Sequence, residues 1–156
     1  MSSEMNLTLK DEQDTIRLGA QLASIIHAGL VVYFCGQLGS GKTFLVRALF
    51  RALGYQGPVK SPSYTLLESY VISRLNFYHF DFYRFKDPYE WEDVGFRQYF
   101  TPSAVCLVEW PEKAQGLPRP DIDVAIFLTG EAREVRVRGL SATGQRALAK
   151  LENARN

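Results

Sequence analysis

Eight consecutive residues, Gly36-Gln37-Leu38-Gly39-Ser40-Gly41-Lys42-Thr43, satisfy the pattern G-x-x-x-x-G-K-[ST] in full. The glycines let the backbone curl so that successive N–H groups point inward, toward phosphate oxygens. A helix opening near Thr43 would add its positive N-terminal end. In such a loop Lys42 reaches the β- and γ-phosphates, and the Thr43 hydroxyl ligates Mg²⁺. The chemistry needs a further carboxylate at the end of a neighbouring strand, to hold the metal directly or through water. Two residues qualify. Asp81 ends the run Phe77-Tyr78-His79-Phe80, and Glu109 ends Val105-Cys106-Leu107-Val108. Glu109 fits the apolar-strand-then-acid pattern better, Asp81 is the more usual residue type, and the two could share the site.

Other residues carry weaker signals. Ser61-Pro62-Ser63-Tyr64-Thr65 is a hydroxyl-rich loop about twenty residues beyond the glycines. Loops of this kind close over γ-phosphate and Mg²⁺ in switch proteins, which makes the Ser63 hydroxyl a candidate; a plain polar turn fits the spacing equally well. His79 alternates with Tyr78 and Phe80, the pattern of a packed or hydrogen-bonded histidine rather than a catalytic one. Trp110 follows Glu109 directly, at a strand end, where it covers the site, meets a partner or closes the core.

These residues need a scaffold that brings strand ends together. Leu30 to Cys35 reads as a strand buried on both faces, and Thr43 to Leu53 as a helix stopped by Gly54. Asp11 is placed to cap an earlier helix, with Ile16, Gly19, Ala23 and Ile26 at helical spacing up to Gly29. Tyr64–Ile72 and Phe77–Tyr83 read as an antiparallel hairpin turning at Ser73-Arg74, and 88–100 as irregular or helical. Ala104–Glu109 is a buried strand. Ile122 to Leu128 alternates, turns at Gly130-Glu131 and returns through Val135 and Val137. Ser141 caps a last helix to about Leu151. The expected fold is a single α/β domain of the P-loop NTPase type over 1–156, with tails at 1–6 and 152–156. Its mixed sheet is flanked by helices, parallel near the loop and antiparallel at an edge.

Composition excludes several alternatives. With 18 basic and 17 acidic residues, the net charge of +1 does not favour nucleic acid or a membrane as primary ligand. Cys35 and Cys106 have neither metal-ligand nor disulfide spacing. No signal sequence opens the chain, and its longest apolar run is under half a bilayer span, so a cytoplasmic location is expected. An Asn-Lys-x-Asp motif for guanine is absent, which disfavours a GTPase. A small-molecule kinase and a nucleotide-gated binding module without hydrolysis remain as rivals; no separate lid is visible between Ala104 and Gly130.

Four ordered motifs together resemble the bacterial TsaE family: the glycine loop, Lys60-Ser61-Pro62-Ser63-Tyr64-Thr65-Leu66, His79-Phe80-Asp81-Phe82-Tyr83-Arg84 and Val108-Glu109-Trp110-Pro111-Glu112. Val94-Gly95-Phe96, followed by Tyr99-Phe100, also sits where that family has a Leu/Met-Gly segment. The resemblance runs from about Asp11 to Val137. It implies a weak, partner-dependent ATPase, cleaving ATP to ADP and phosphate with Mg²⁺. The role implied is accessory to the TsaD–TsaB complex in threonylcarbamoyladenosine modification of tRNA beside the anticodon, with tRNA contacted indirectly at most. The resemblance also implies nucleotide contacts from Gln37, Leu38, Gly39, Ser40, Gly41, Lys42 and Thr43, with Mg²⁺ held by Thr43 and Glu109. Asp81 acts at the γ-phosphate, and Trp110 belongs to the same patch. Glu12, Ala132 and Arg133 are implied near adenine. The chain departs from the family at Ser63, where Thr is usual, and at Gln37, where Asp is usual. Replacing Lys42→Ala should weaken ATP binding at least about tenfold in calorimetry, because charge-assisted bonds to phosphate are worth ~1.5–3 kcal/mol each.

Overall fold

The computed structural model describes residues 4–155 and orders seven strands into one sheet, β1-β7-β6-β2-β5-β4-β3. The strands are β1 (Glu4–Leu9), β2 (Val31–Gly36), β3 (Leu67–Ile72), β4 (Leu75–Asp81), β5 (Ala104–Glu109), β6 (Ile122–Thr129) and β7 (Ala132–Gly139). The four central strands, β6, β2, β5 and β4, run parallel. Antiparallel strands flank them at both edges, β7 and β1 on one side and β3 on the other, where one such edge was expected. Because β2, β5 and β4 are parallel, Gly36, Glu109 and Asp81 finish at the same end of the sheet. In open α/β sheets that carboxyl end is where ligands bind.

Alternation along the strands divides the core into two layers. Val32 and Phe34 of β2, Val105 and Leu107 of β5 and Phe77 of β4 face the larger cluster. It is completed by α1 (Glu12–Ala23), α2 (Lys42–Ala52) and α4 (Ala142–Arg155) through Leu18, Leu22, Leu45, Leu49, Leu148 and Leu151. The opposite faces of the same strands meet an aromatic layer with no long helix. There Phe80, Cys106 and Val108 pack on Phe82, Phe85, Trp91 and Phe96 from the winding segment after β4. That segment includes α3 (Glu90–Asp93) and the 3₁₀ turn Phe96–Tyr99, and a second 3₁₀ turn, Pro111–Lys113, follows β5. Trp91, wholly buried, anchors it by donating from Nε1 to the Gln115 carbonyl at 2.7 Å.

Several expected boundaries shift for identifiable reasons. In place of a tail over 1–6, a strand runs from Glu4, since Met5 and Leu9 alternate inward and β1 pairs with β7 along its length; residues 1–3 lie outside the described part. In place of a tail from 152, α4 continues to Arg155, and Asn156 lies outside the described part. Asp11 caps α1 as expected, its side chain accepting from the Asp14 amide, but the helix stops at Ala23 rather than near Gly29. Its buried stripe is Thr15, Leu18, Gly19 and Leu22, leaving Ile16 43% exposed. Strand β3 starts three residues late because Tyr64 to Leu66 lie in a turn, closed by the Leu66 amide on the Pro62 carbonyl.

Gly19 decides how α1 meets α2, the helix that begins inside the phosphate motif. A Cβ there would lie 2.6 Å from the Ala48 Cβ and 2.8 Å from its backbone carbon. The helices therefore touch backbone to backbone, which only glycine permits. Gly19→Ala should lower stability by about 1–3 kcal/mol despite the better helix propensity of alanine. A thermal melt showing an unchanged or higher midpoint would contradict this packing.

Candidate functional site

Strand β2 delivers Gly36 into the loop at φ 150°, where a Cβ would meet the Ile126 carbonyl and Ser40 Oγ, both at 2.7 Å. The Ser40 amide then donates to the Gln37 carbonyl at 3.1 Å, and Gly41, left-handed, opens α2. Side chains cap α1 and α4, through Asp11 and Ser141, but none caps α2. A helix start left open in this way offers its first amides to an anion. Lys42, 5% exposed, curls back so that Nζ donates to the Gly36 carbonyl at 2.5 Å and the Gln37 carbonyl at 2.9 Å. Burial pushes its ammonium below the ordinary lysine range, while Glu109 and Asp81 pull it back up. Ser40 is buried beneath the loop, and Leu38 stands at its crown, 60% exposed.

The two acids are register partners across β4 and β5 and occupy different environments. Glu109, 2% exposed, accepts from Thr43 Oγ1 at 2.9 and 3.1 Å and lies 2.6 Å from His79 Nε2. Asp81 instead accepts the Tyr83 amide at 2.9 Å. Burial foremost, with repulsion from Glu109, raises its carboxyl above the usual range, against the Tyr83 amide, His79 and Lys42. A backbone bond from the Phe82 amide to the Glu109 carbonyl ties the two strand ends together. Thus Glu109 rather than Asp81 is the acid that Thr43 meets. His79, expected to be packed or hydrogen-bonded, is buried and bonded to Glu109, which makes it part of the site. Its position two residues before Asp81 was the available signal, because side chains two apart in a strand share a face.

Trp110 leaves β5 in the left-handed region, φ 59°. Such a conformation costs a bulky residue about 1–3 kcal/mol. It lays the indole 4.5 Å from Lys42 Nζ and 4.8 Å from the Tyr83 ring. A desolvated cation–π contact and an aromatic pair return a similar amount. The hydroxyl-rich loop is fixed on the Asp81 side: the Asp81 amide donates to the Leu66 carbonyl, and Arg84 Nε to the Ser63 carbonyl at 2.9 Å. Ser63 is thereby held by Arg84, three residues beyond Asp81, through its backbone carbonyl.

Cavities lie on both sides of the loop. One of about 400 Å³ brings Glu12 and Arg133 together with Ser40, Gly41 and Phe44. Arg133 braces the loop itself, donating to the Ser40 carbonyl at 2.6 Å and the Gly39 carbonyl at 3.3 Å. Sequence reasoning placed Arg133 near adenine and missed this bracing role. Ala132 is next to this cavity in β7 but does not line it. The other, about 540 Å³, is lined by Gln37, Trp110, Glu112 and the open face of β6 and β7. Among the described residues no three His, Cys, Asp or Glu side chains converge into an all-protein metal cage. Thr43 with one or two acids is the set expected for Mg²⁺ that completes its shell with phosphate and water. A buried carboxylate whose hydrogen-bond partners are a hydroxyl and an imidazole fits such a cation.

A glycine loop leading from β2, the central strand of a mixed sheet, into an uncapped helix defines a single α/β domain with its candidate site at the carboxyl end of the parallel strands. The profile of the family described as "Threonylcarbamoyl adenosine biosynthesis protein TsaE" matches residues 9–137. The chain belongs to the TsaE family. It is 40% identical over 151 residues to the tRNA threonylcarbamoyladenosine biosynthesis protein TsaE of Haemophilus influenzae, covering 93% of this chain and 96% of that relative. Proteins of the same name from Treponema pallidum and Bacillus subtilis are each 33% identical, over 135 and 120 residues. These cover 85% and 76% of this chain, and 99% and 75% of the relatives. The crystal structure of YdiB from Bacillus subtilis superposes with a TM-score of 0.81 at 24% identity, covering 100% of this chain and 99% of that one. This likeness shows the fold. No helix among the described residues is long and apolar enough to cross a membrane.

Because the folded state raises the Asp81 carboxyl, the ionised form costs stability at neutral pH. That cost fades as pH falls through the raised folded value and is gone below the unfolded one. Without nucleotide or metal, Asp81→Asn should therefore melt at a higher temperature than wild type at pH 8, with the gap narrowing by pH 4. Melts showing no gap at pH 8 would refute the assigned cost.

Proposed function

We propose that this protein is a weak ATPase that serves threonylcarbamoyladenosine formation in tRNA as an accessory of the TsaD–TsaB complex in the cytoplasm. The observation that carries the nucleotide reading is the Thr43–Glu109 pair, set beside an uncapped helix start and a buried Lys42. Membership of the family carries the pathway. The loop amides and Lys42 bind the phosphates, and the adenosine end lies in the cavity holding Glu12 and Arg133. Thr43 and Glu109 hold Mg²⁺, which when bound neutralises charge on the β- and γ-phosphate oxygens. Asp81, on the γ-phosphate side with the Ser63 loop, orients the attacking water. Trp110 shields Lys42 from solvent, keeping its charge strong toward phosphate. The near-neutral chain leaves tRNA to the partners, in keeping with a net charge of +1.

Phosphate release from ATP without any acceptor, with and without the partner complex, tests the reading. A partner-stimulated signal that disappears in Lys42→Ala is expected, and its absence with every partner present would overturn hydrolysis. The two acids should separate in the same assay. Glu109→Ala should weaken Mg²⁺-dependent ATP binding by about tenfold or more, since a metal ligand acts in ground and transition states alike. Asp81→Asn should bind ATP normally yet hydrolyse it about a hundredfold more slowly, because orienting water matters mainly in the transition state. The opposite pattern in calorimetry would reverse the roles.

A further inference from the structure

We propose that His79 is a positioning residue for the metal site, holding Glu109 by Oε2 so that the carboxylate faces Thr43 in one orientation with its charge intact. The inference rests on the Mg-nucleotide reading above. The glycine motif does not call for a histidine, and a packing role alone does not account for what surrounds it. His79 is 0% exposed, and its Nε2 lies 2.6 Å from Glu109 Oε2. Its register partner on β5 is Leu107, two residues before Glu109. Leu107 and Phe77 both face the helix-side core, so alternation puts His79, Asp81 and Glu109 on the face that α2 and Thr43 occupy.

The other ring nitrogen decides the chemistry. His79 Nδ1 is buried and has no hydrogen-bond partner. A proton there would be a buried donor without an acceptor, whereas a bare lone pair costs less. The proton therefore sits on Nε2 and is donated to Glu109. A lysine or arginine in this place would pair with the carboxylate and cancel the charge that a dication needs. A serine or threonine would be too short to span from β4 to the end of β5. The imidazole ring fixes the orientation and leaves the charge. Thr43 Oγ1 sits within 3.1 Å of both Glu109 oxygens and cannot choose between them. Were Thr43 Oγ1 to ligate a cation, His79 would be the partner left to keep Glu109 in place. Outer partners of metal ligands of this type change metal affinity by about 10–100-fold when removed.

Calorimetry of the full-length protein with a non-hydrolysable ATP analogue, in Mg²⁺ and in EDTA, tests this directly. His79→Gln sets an amide N–H where Nε2 was; His79→Asn sets it where Nδ1 was, out of reach of Glu109; His79→Phe removes it. Asn and Phe should lose about 10–100-fold of the affinity gained from Mg²⁺ while EDTA affinity stays as in wild type. Gln should keep that gain to within about threefold. If Phe fails to fold, the Gln–Asn pair decides, as each buries one amide and melts report its folding. Asn retaining the full gain, Gln failing like Asn, or an equal loss in EDTA would each overturn the positioning role. A wild-type protein with no Mg²⁺ gain would overturn the metal reading and this inference together, whereas a wild-type gain kept by Asn would overturn this inference alone.

Discussion

A carboxylate taken out of water must be given partners, and Glu109 at 2% exposure is the group around which this molecule is arranged. Burying an unpaired charge is among the most expensive things a fold can do. Here the partners come from two neighbouring elements: Thr43 from the start of α2 and His79 from β4. Both contacts require β2, β5 and β4 to be parallel and in register, since only then do Gly36, Glu109 and Asp81 end together. Slipping one strand by a single residue would turn Glu109 toward the aromatic layer. The acid thus constrains the sheet as much as the sheet positions the acid.

The aromatic layer supplies the rigidity that this geometry needs. On the side of the sheet without long helices, Phe80, Phe82, Phe96 and Phe100 pack in tilted and stacked pairs at centroid distances of 5.3 to 6.2 Å. Rings contribute large contact area with few rotatable bonds. The segment after β4 can therefore be irregular in backbone yet fixed in space. It turns the chain so that Tyr83 caps Asp81 and meets Trp110. The left-handed Trp110 is tolerable because Tyr83 and Lys42 both contact its ring. Strain at that residue is balanced rather than compensated in excess, so its value lies in where the indole sits, not in added stability.

Much of this arrangement is legible from local signals in the chain. The glycine motif carries its own mechanism, and both caps, Asp11 and Ser141, act where side-chain chemistry places them. The hairpin at Ser73-Arg74 is readable from its length, although both residues adopt φ above 50° without the Asn-Gly usual in such turns. What escapes a local reading depends on distant partners. Strand β1 is short and polar on one face, and only β7, more than a hundred residues on, makes it a strand. The helical phase of α1 misleads because Ile16 looks like core while Gly19 marks the true contact. His79 reads as a packed or hydrogen-bonded residue, but which group it bonds is not legible, because its partner lies 30 residues away on another strand. The pairing of Thr43 with Glu109 is what the family resemblance implies, and the better apolar-strand-then-acid pattern of Glu109 agrees with it, whereas spacing alone leaves both acids open.

The antiparallel edge has a part in the site that its composition conceals. Along β7 arginines alternate with apolar residues, and Arg136 and Arg138 lie, half-buried, on the face opposite Val135 and Val137. Arg133 does not. At the start of β7, in register with Leu9 and Leu128, it reaches back to the carbonyls of Gly39 and Ser40. Carbonyls held outward leave the loop's N–H groups turned inward, the polarity an anion requires. The same guanidinium forms a wall of the cavity that contains Glu12. Displacing the β6–β7 hairpin would therefore change the loop's shape and this cavity together, which links the antiparallel flank of the sheet opposite β3 to the phosphate end of the site.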